Sequence, residues 1–132
     1  MSASKLRVLI IDDDAIKAHD IKNALEFSGV RNIESVFDQE SAWEEIERAA
    51  MTGRRFDLIV TDMHYPINRG EEADWRAGKI LLEELRNKGI QIPVIVCSSV
   101  NHQIPEAFGC VWYSALNENM QFDFQDLISK LS

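Results

Sequence analysis

Apolar residues run along this chain in two alternating patterns. Leu6 to Ile11 is a nearly continuous aliphatic run interrupted only by Arg7, which predicts a strand buried on both faces. Ala15, Ile16, Ile21, Leu25 and Phe27 then recur at helical spacing and stop before Gly29, a C-terminal cap. Ile33 to Phe37 predicts a second strand. Ser41 with Glu44 three residues on forms a capping-box pattern, opening a helix that carries Trp43, Ile46 and Ala50 and ends near Gly53. Phe56 to Thr61 is the third strand, and a long polar segment follows from Met63 to Ala77. Gly78 to Lys88 predicts a helix with Ile80, Leu81, Leu82 and Leu85 inward. Pro93 to Cys97 and Gly109 to Tyr113 are the fourth and fifth strands. Phe124, Leu127, Ile128 and Leu131 mark a last helical stripe.

Continuous apolar strands alternating with amphipathic helices predict an α/β fold, a single doubly wound five-stranded parallel sheet covered on both faces. Right-handed crossovers leave few topologies. In such sheets ligands bind beyond the carboxyl ends of the strands, where the strand order reverses.

Carboxylates stand at two of those ends. The first strand runs straight into Asp12, Asp13 and Asp14, and the third ends at Asp62. Clustered like charges cost stability, and a cation or phosphoryl chemistry is the usual reason to keep them. If the first and third strands are neighbours, the acids share one pocket. Asp14, just ahead of a helical run, reads instead as its N-cap.

Bulk properties narrow the rest. The 132 residues fit one domain, 1–132, with one core. No apolar run is long enough to span a membrane, and the first residues lack a secretory pattern, so a cytoplasmic location is expected. The net charge of −8 argues against nucleic acid or an anionic membrane as a direct partner. Cys97 and Cys110 read as reduced thiols in apolar strands.

Val8-Leu9-Ile10-Ile11-Asp12-Asp13, then Asp57-Leu58-Ile59-Val60-Thr61-Asp62 with Pro66 beyond, then Pro93-Val94-Ile95-Val96-Cys97-Ser98 together resemble the receiver domain of two-component response regulators. The resemblance spans nearly the whole chain. It implies the flavodoxin-like strand order 2-1-3-4-5. It implies Asp62 as phosphoacceptor, and Mg²⁺ held by Asp12, Asp13, Asp62 and the backbone carbonyl of His64. Ser98 would hydrogen-bond the phosphoryl group, and Tyr113 would be the aromatic switch. It further implies a histidine kinase or phosphotransfer protein upstream and a protein partner downstream. Aspartyl phosphate chemistry suits these groups, since a carboxylate attacks phosphorus in line and a divalent ion offsets the repulsion between anions.

Three features depart from the family pattern. The lysine expected after the fifth strand falls on Leu116, and no lysine or arginine lies between Gly89 and Ser129. The glycine expected soon after Pro66 is Gly78, twelve residues on, so the intervening loop is extended. Arg69, Arg76 or Lys79 from this loop (Ile67 to Ala77 and just beyond) would replace the missing lysine if the loop folds back over the acids. Trp75 in that segment requires a place to pack. The stretch between Ser98 and Gly109 is short and contains Pro105, which predicts a shortened or irregular fourth helix.

Among the remaining candidates, His102 follows Ser98 closely and reads as a bystander, and His19 reads as surface. Met120, Phe122 and Phe124 are core anchors, or an interface where exposed. The expected function is a stand-alone receiver signalling through protein contacts, a phosphoacceptor and not an enzyme beyond slow autodephosphorylation. An interaction module without phosphorylation control is the alternative. A poorer resemblance, to haloacid-dehalogenase-like phosphohydrolases, would make Asp12 the nucleophile, Asp14 the acid/base and Ser98 the phosphate binder. Flavin binding is disfavoured, because the acids repel the cofactor's phosphate.

Overall fold

The computed structural model describes residues 2–101 and 103–131. A single 3-10 turn, Ala3–Lys5, precedes β1 (Arg7–Ile11), α1 (Ala15–Phe27), β2 (Asn32–Val36), α2 (Gln39–Met51) and β3 (Leu58–Thr61). The extended loop contains a two-stranded ribbon of β4 (Tyr65–Pro66) and β5 (Ala73–Asp74). Then come α3 (Ala77–Asn87), β6 (Val94–Ser98), β7 (Gly109–Trp112) and α4 (Met120–Ser129).

Five strands form one parallel sheet in the order β2-β1-β3-β6-β7, the doubly wound order expected once the small ribbon is set aside. Alternate residues of each strand serve opposite faces. Val8, Ile10, Leu58 and Val60 pack with Ile21 and Leu25 of α1 and Phe124 and Ile128 of α4. Leu9, Ile11 and Ile59 pack with Ala42 and Ile46 of α2 and Leu81 and Leu85 of α3. No helix occurs between β6 and β7 among the described residues, where Pro105 removes a donor and only a turn forms. The segment expected to carry a shortened or irregular fourth helix thus holds none among the described residues.

Two local expectations are corrected. The buried side of α1 is Lys17, Ala18, Ile21, Ala24 and Leu25, whereas Ile16 is 74% and Phe27 51% exposed. The stripe is rotated relative to the one read from apolar residues alone, and it includes a lysine. The second helix is not opened by a Ser41–Glu44 box. Asp38 is its N-cap, accepting from the Ser41 N–H at 2.6 Å, because the helix begins at Gln39, two residues before Ser41. The glycine assigned after the extended loop is supported by packing. A Cβ on Gly78 would lie 2.7 Å from the Asp62 carbonyl oxygen and 2.8 Å from Met63 Cα.

Candidate functional site

β1 and β3 are hydrogen-bonded neighbours, with Ile11 opposite Thr61, so their successors Asp12 and Asp62 leave the sheet side by side. The Asp62 N–H donates to Ile11 O at 3.1 Å and the Asp12 N–H to Val36 O at 3.1 Å, which extends the sheet pattern to both acids. The first turn of α3 presses on the backbone after β3. The Gly78 N–H donates to Met63 O at 3.2 Å, a close approach that only a residue without Cβ allows. The Asp62 side chain accepts from the Met63 N–H at 2.7 Å through Oδ1.

The cation between these acids is Lys17. Its Nζ lies 2.9 Å from Asp12 Oδ2 and 3.1 Å from Asp62 Oδ2, so the two oxygens are at most about 6 Å apart. Asp12 is wholly buried, the Lys17 side chain is 5% exposed and that of Asp62 17%. Asp14 sets the geometry. Its carboxylate caps α1 by accepting from the Ile16 and Lys17 N–H groups, which places Lys17 on the third helical position. From there its four-carbon stem runs back towards the strand ends, as helical side chains lean towards the N-terminus. The Asp14 N–H donates to Asp12 Oδ1 at 2.9 Å.

Two anions share one cation, and the charges respond unequally. Burial alone would lower Lys17, but Asp12 and Asp62 outweigh it and hold the ammonium above its ordinary value. Burial raises the Asp12 carboxyl, and the Lys17 ammonium and Asp14 N–H offset this only in part. Asp12 Oδ2 has the ion pair but no aligned hydrogen-bond donor.

The loop-cation expectation is overturned. Arg69 turns away to α2, where its N–H donates to Glu40 at 2.9 Å and its guanidinium contacts Ser41 and Glu44. Arg76 folds onto Asp74. Lys79 is exposed. The segment is held by its own ribbon and by the Glu40 N–H donating to Ile67 O, so α2 captures Arg69 and the neighbouring Asp74 captures Arg76. Trp75 finds no packing site and is 74% exposed.

The other predicted residues are distributed as follows. Ser98 is buried at the end of β6; its Oγ accepts from the Val100 N–H at 3.2 Å, leaving its hydroxyl proton available. Tyr113 is half-buried beside α1, donating to Asp20 Oδ2 at 2.5 Å, with Lys17 Nζ 5.6 Å from its ring centre. Asp13 and His64 are exposed, and Asp13 pairs with no cation among the described residues. Leu116 is 81% exposed, and Asn117 donates to Trp112 O. His19 is exposed and His102 lies outside the described residues. Cys97 is buried and Cys110 half-buried, both free thiols. Phe124 is core, while Phe122 stacks edge-on with Phe27 at the surface.

Sequence reasoning missed Lys17. One signal was available: it lies four residues before Ile21 and eight before Leu25, on the stripe that faces the sheet. A lysine at such a position must find a buried anion or reach water.

The model for the response regulator receiver domain matches residues 8–130. The chain belongs to the receiver domain family. It is 28% identical over 131 residues to the 3′,5′-cyclic-nucleotide phosphodiesterase regA of Dictyostelium discoideum, covering 98% of this chain and 14% of that protein. It spans less than a quarter of the length of the curated relatives it matches. Chemotaxis response regulator CheY4 of Vibrio cholerae shares the fold, with TM-score 0.69 and 16% identity over 96% of this chain and 98% of that one. So does the Mn²⁺-bound form of response regulator Rcp1, with TM-score 0.68 and 15% identity over 95% and 93%. Receiver domains serve two-component and phosphorelay signalling, in which phosphorylation and Mg²⁺ are typical. No helix of this receiver, among the described residues, is long and apolar enough to cross a membrane.

The donors suit such an ion. Among the described residues no three acidic, histidine or cysteine side chains are gathered as a chelate. Mg²⁺ keeps several waters and takes only one or two carboxylates, and the pocket supplies two, one with an unaligned oxygen.

Proposed function

We propose that this receiver accepts a phosphoryl group on Asp62 and signals through protein contacts. The supporting observation is the convergence of Asp12 and Asp62 at the carboxyl ends of adjacent parallel strands. Asp12 and Asp62 would hold Mg²⁺ together with the His64 carbonyl, and Asp13 would reach the ion through one of the waters it keeps. The ion, when bound, offsets the negative charge of the incoming phosphoryl oxygens. An Asp62 carboxylate oxygen attacks phosphorus as the bond to the donor histidine nitrogen breaks, and that nitrogen keeps the bonding pair and takes up a proton. Ser98, with its hydroxyl proton free, donates to a phosphoryl oxygen. The Asp62 backbone is fixed by Gly78 and Met63, so the nucleophile is positioned before the donor arrives. A histidine kinase or phosphotransfer protein is the donor, and a further protein reads the outcome.

The engagement of Asp14 as a helix cap supports this reading over a phosphohydrolase, which would need that group free as acid/base. An interaction module without phosphorylation control is the second reading, favoured by the ammonium already seated on the acids and by Leu116 at the family's lysine position. Incubation with Mg²⁺ and acetyl phosphate, followed by intact-mass measurement, separates the two. Stoichiometric, hydroxylamine-labile phosphate that disappears in Asp62→Asn supports phosphotransfer. No modification of the wild type under saturating donor overturns it.

A further inference from the structure

We propose that Lys17 is a tethered counter-ion that competes with the divalent cation for the same two carboxylate oxygens, and that cation binding drives its ammonium off the acids towards Tyr113. The inference rests on the metal-binding reading of this pocket and goes beyond it. It assigns a role to a residue on α1 and makes occupancy of the site conditional on moving that residue.

The argument is geometric. Nζ sits between Asp12 Oδ2 and Asp62 Oδ2, at 2.9 and 3.1 Å. A divalent ion bridging the same oxygens would occupy the same space, and two cations a few ångströms apart in a buried site repel strongly. With the ammonium in place the two acids retain a single net negative charge; adding a divalent ion without displacement would leave buried excess positive charge. The two occupants are therefore alternatives. Lys17 cannot simply hydrate where it stands, since its side chain is 5% exposed. Its long stem allows the head to swing, and the aromatic face 5.6 Å away is a ready acceptor for a displaced cation. Tyr113 is in turn tied to α1 by its hydrogen bond to Asp20, one helical turn beyond Lys17. Exchange of cations at the strand ends is thus felt at the ring and at its hydrogen bond to α1. No cation from the loop after β7 is needed for this coupling.

The test uses the whole chain. Mg²⁺ is titrated calorimetrically into the wild type, Lys17→Met and Lys17→Gln, with NMR of the Lys17 ε-methylene and Tyr113 ring signals in the wild type. At least tenfold tighter Mg²⁺ binding is expected in both variants, with both wild-type signals shifting at the same Mg²⁺ midpoint. Equal affinity in wild type and variants would overturn the competition while leaving the metal reading intact. No Mg²⁺ binding in any of the three would sink both. If the variants fold poorly, the wild-type spectra decide alone: Mg²⁺ binding that leaves the Lys17 and Tyr113 signals unmoved refutes the displacement.

Discussion

Lys17→Met removes the positive charge from a buried cluster while keeping most of the volume of the stem, so its cost isolates the electrostatics. Asp12 has no exposure through which to rehydrate. Breaking a buried pair by deleting one partner costs about 3–5 kcal/mol, because the remaining charge is left uncompensated. Asp62, with 17% of its side chain exposed, regains some hydration, which places the expectation near the lower end, about 3 kcal/mol. For a domain of this length that lowers Tm by roughly 10 °C. The assay is thermal and urea unfolding in EDTA near neutral pH, for wild type, Lys17→Met, Asp12→Asn and the double variant. Asp12→Asn should restore much of the loss, with a coupling of about 2 kcal/mol or more. The pH dependence has a definite sign. Burial already raises the Asp12 carboxyl above 3.8, and losing Lys17 raises it further. A carboxyl raised on folding contributes stability below its unfolded value and loses it as pH rises through the folded value. The deficit of Lys17→Met should therefore be small in acid and grow towards neutrality. Lys17 itself, raised above 10.5, contributes fully below that pH, and the wild type should lose this contribution as pH rises through its folded value. Equal midpoints for wild type and Lys17→Met, or a deficit unchanged by pH and by Asp12→Asn, would refute the reasoning.

Gly78→Ala should cost about 1–3 kcal/mol, because the new Cβ meets backbone at Asp62 and Met63 that has no rotamer to yield; it should also weaken beryllofluoride binding, and unchanged affinity would show that Asp62 is not held by this contact. The Tyr113 phenol is pushed up to about 12 by its hydrogen bond to Asp20 and by burial, so it contributes stability below its ordinary value near 10 that is lost as pH rises through about 12. Alkaline absorbance titration should show Asp20→Asn shifting this transition towards 10, while Tyr65, raised further by complete burial, titrates only on unfolding. Arg69→Ala and Arg76→Ala should leave beryllofluoride affinity unchanged and barely move the unfolding midpoint, since both make solvent-screened, exposed ion pairs; a tenfold loss of affinity in either would return the loop to the site.

Much of this receiver was written in local pattern. Runs such as Leu6–Ile11 and Pro93–Cys97 are buried on both faces and specify parallel strands. The acids that follow the first and third strands, Asp14 as a cap, and the break in helical pattern at Pro105 were all legible, because each depends on neighbours a few residues away. Local pattern failed where partners are distant in sequence. Arg69 was free, on sequence alone, to reach the acids; only the fold brings Glu40 and Glu44 of α2 within its reach. Trp75 looked as though it must pack, but the ribbon leaves it in solvent. Lys17 was not singled out in the sequence at all. Its role was decided by the rotation of α1 on the sheet, which turned Ile16 outward and brought one ammonium to two carboxylates that lie fifty residues apart in the chain. A sequence settles what each segment can form by itself. Which buried charge neutralises which is a property of the packed whole, because the energy of an ion pair depends on distance and solvent exclusion that only tertiary structure sets.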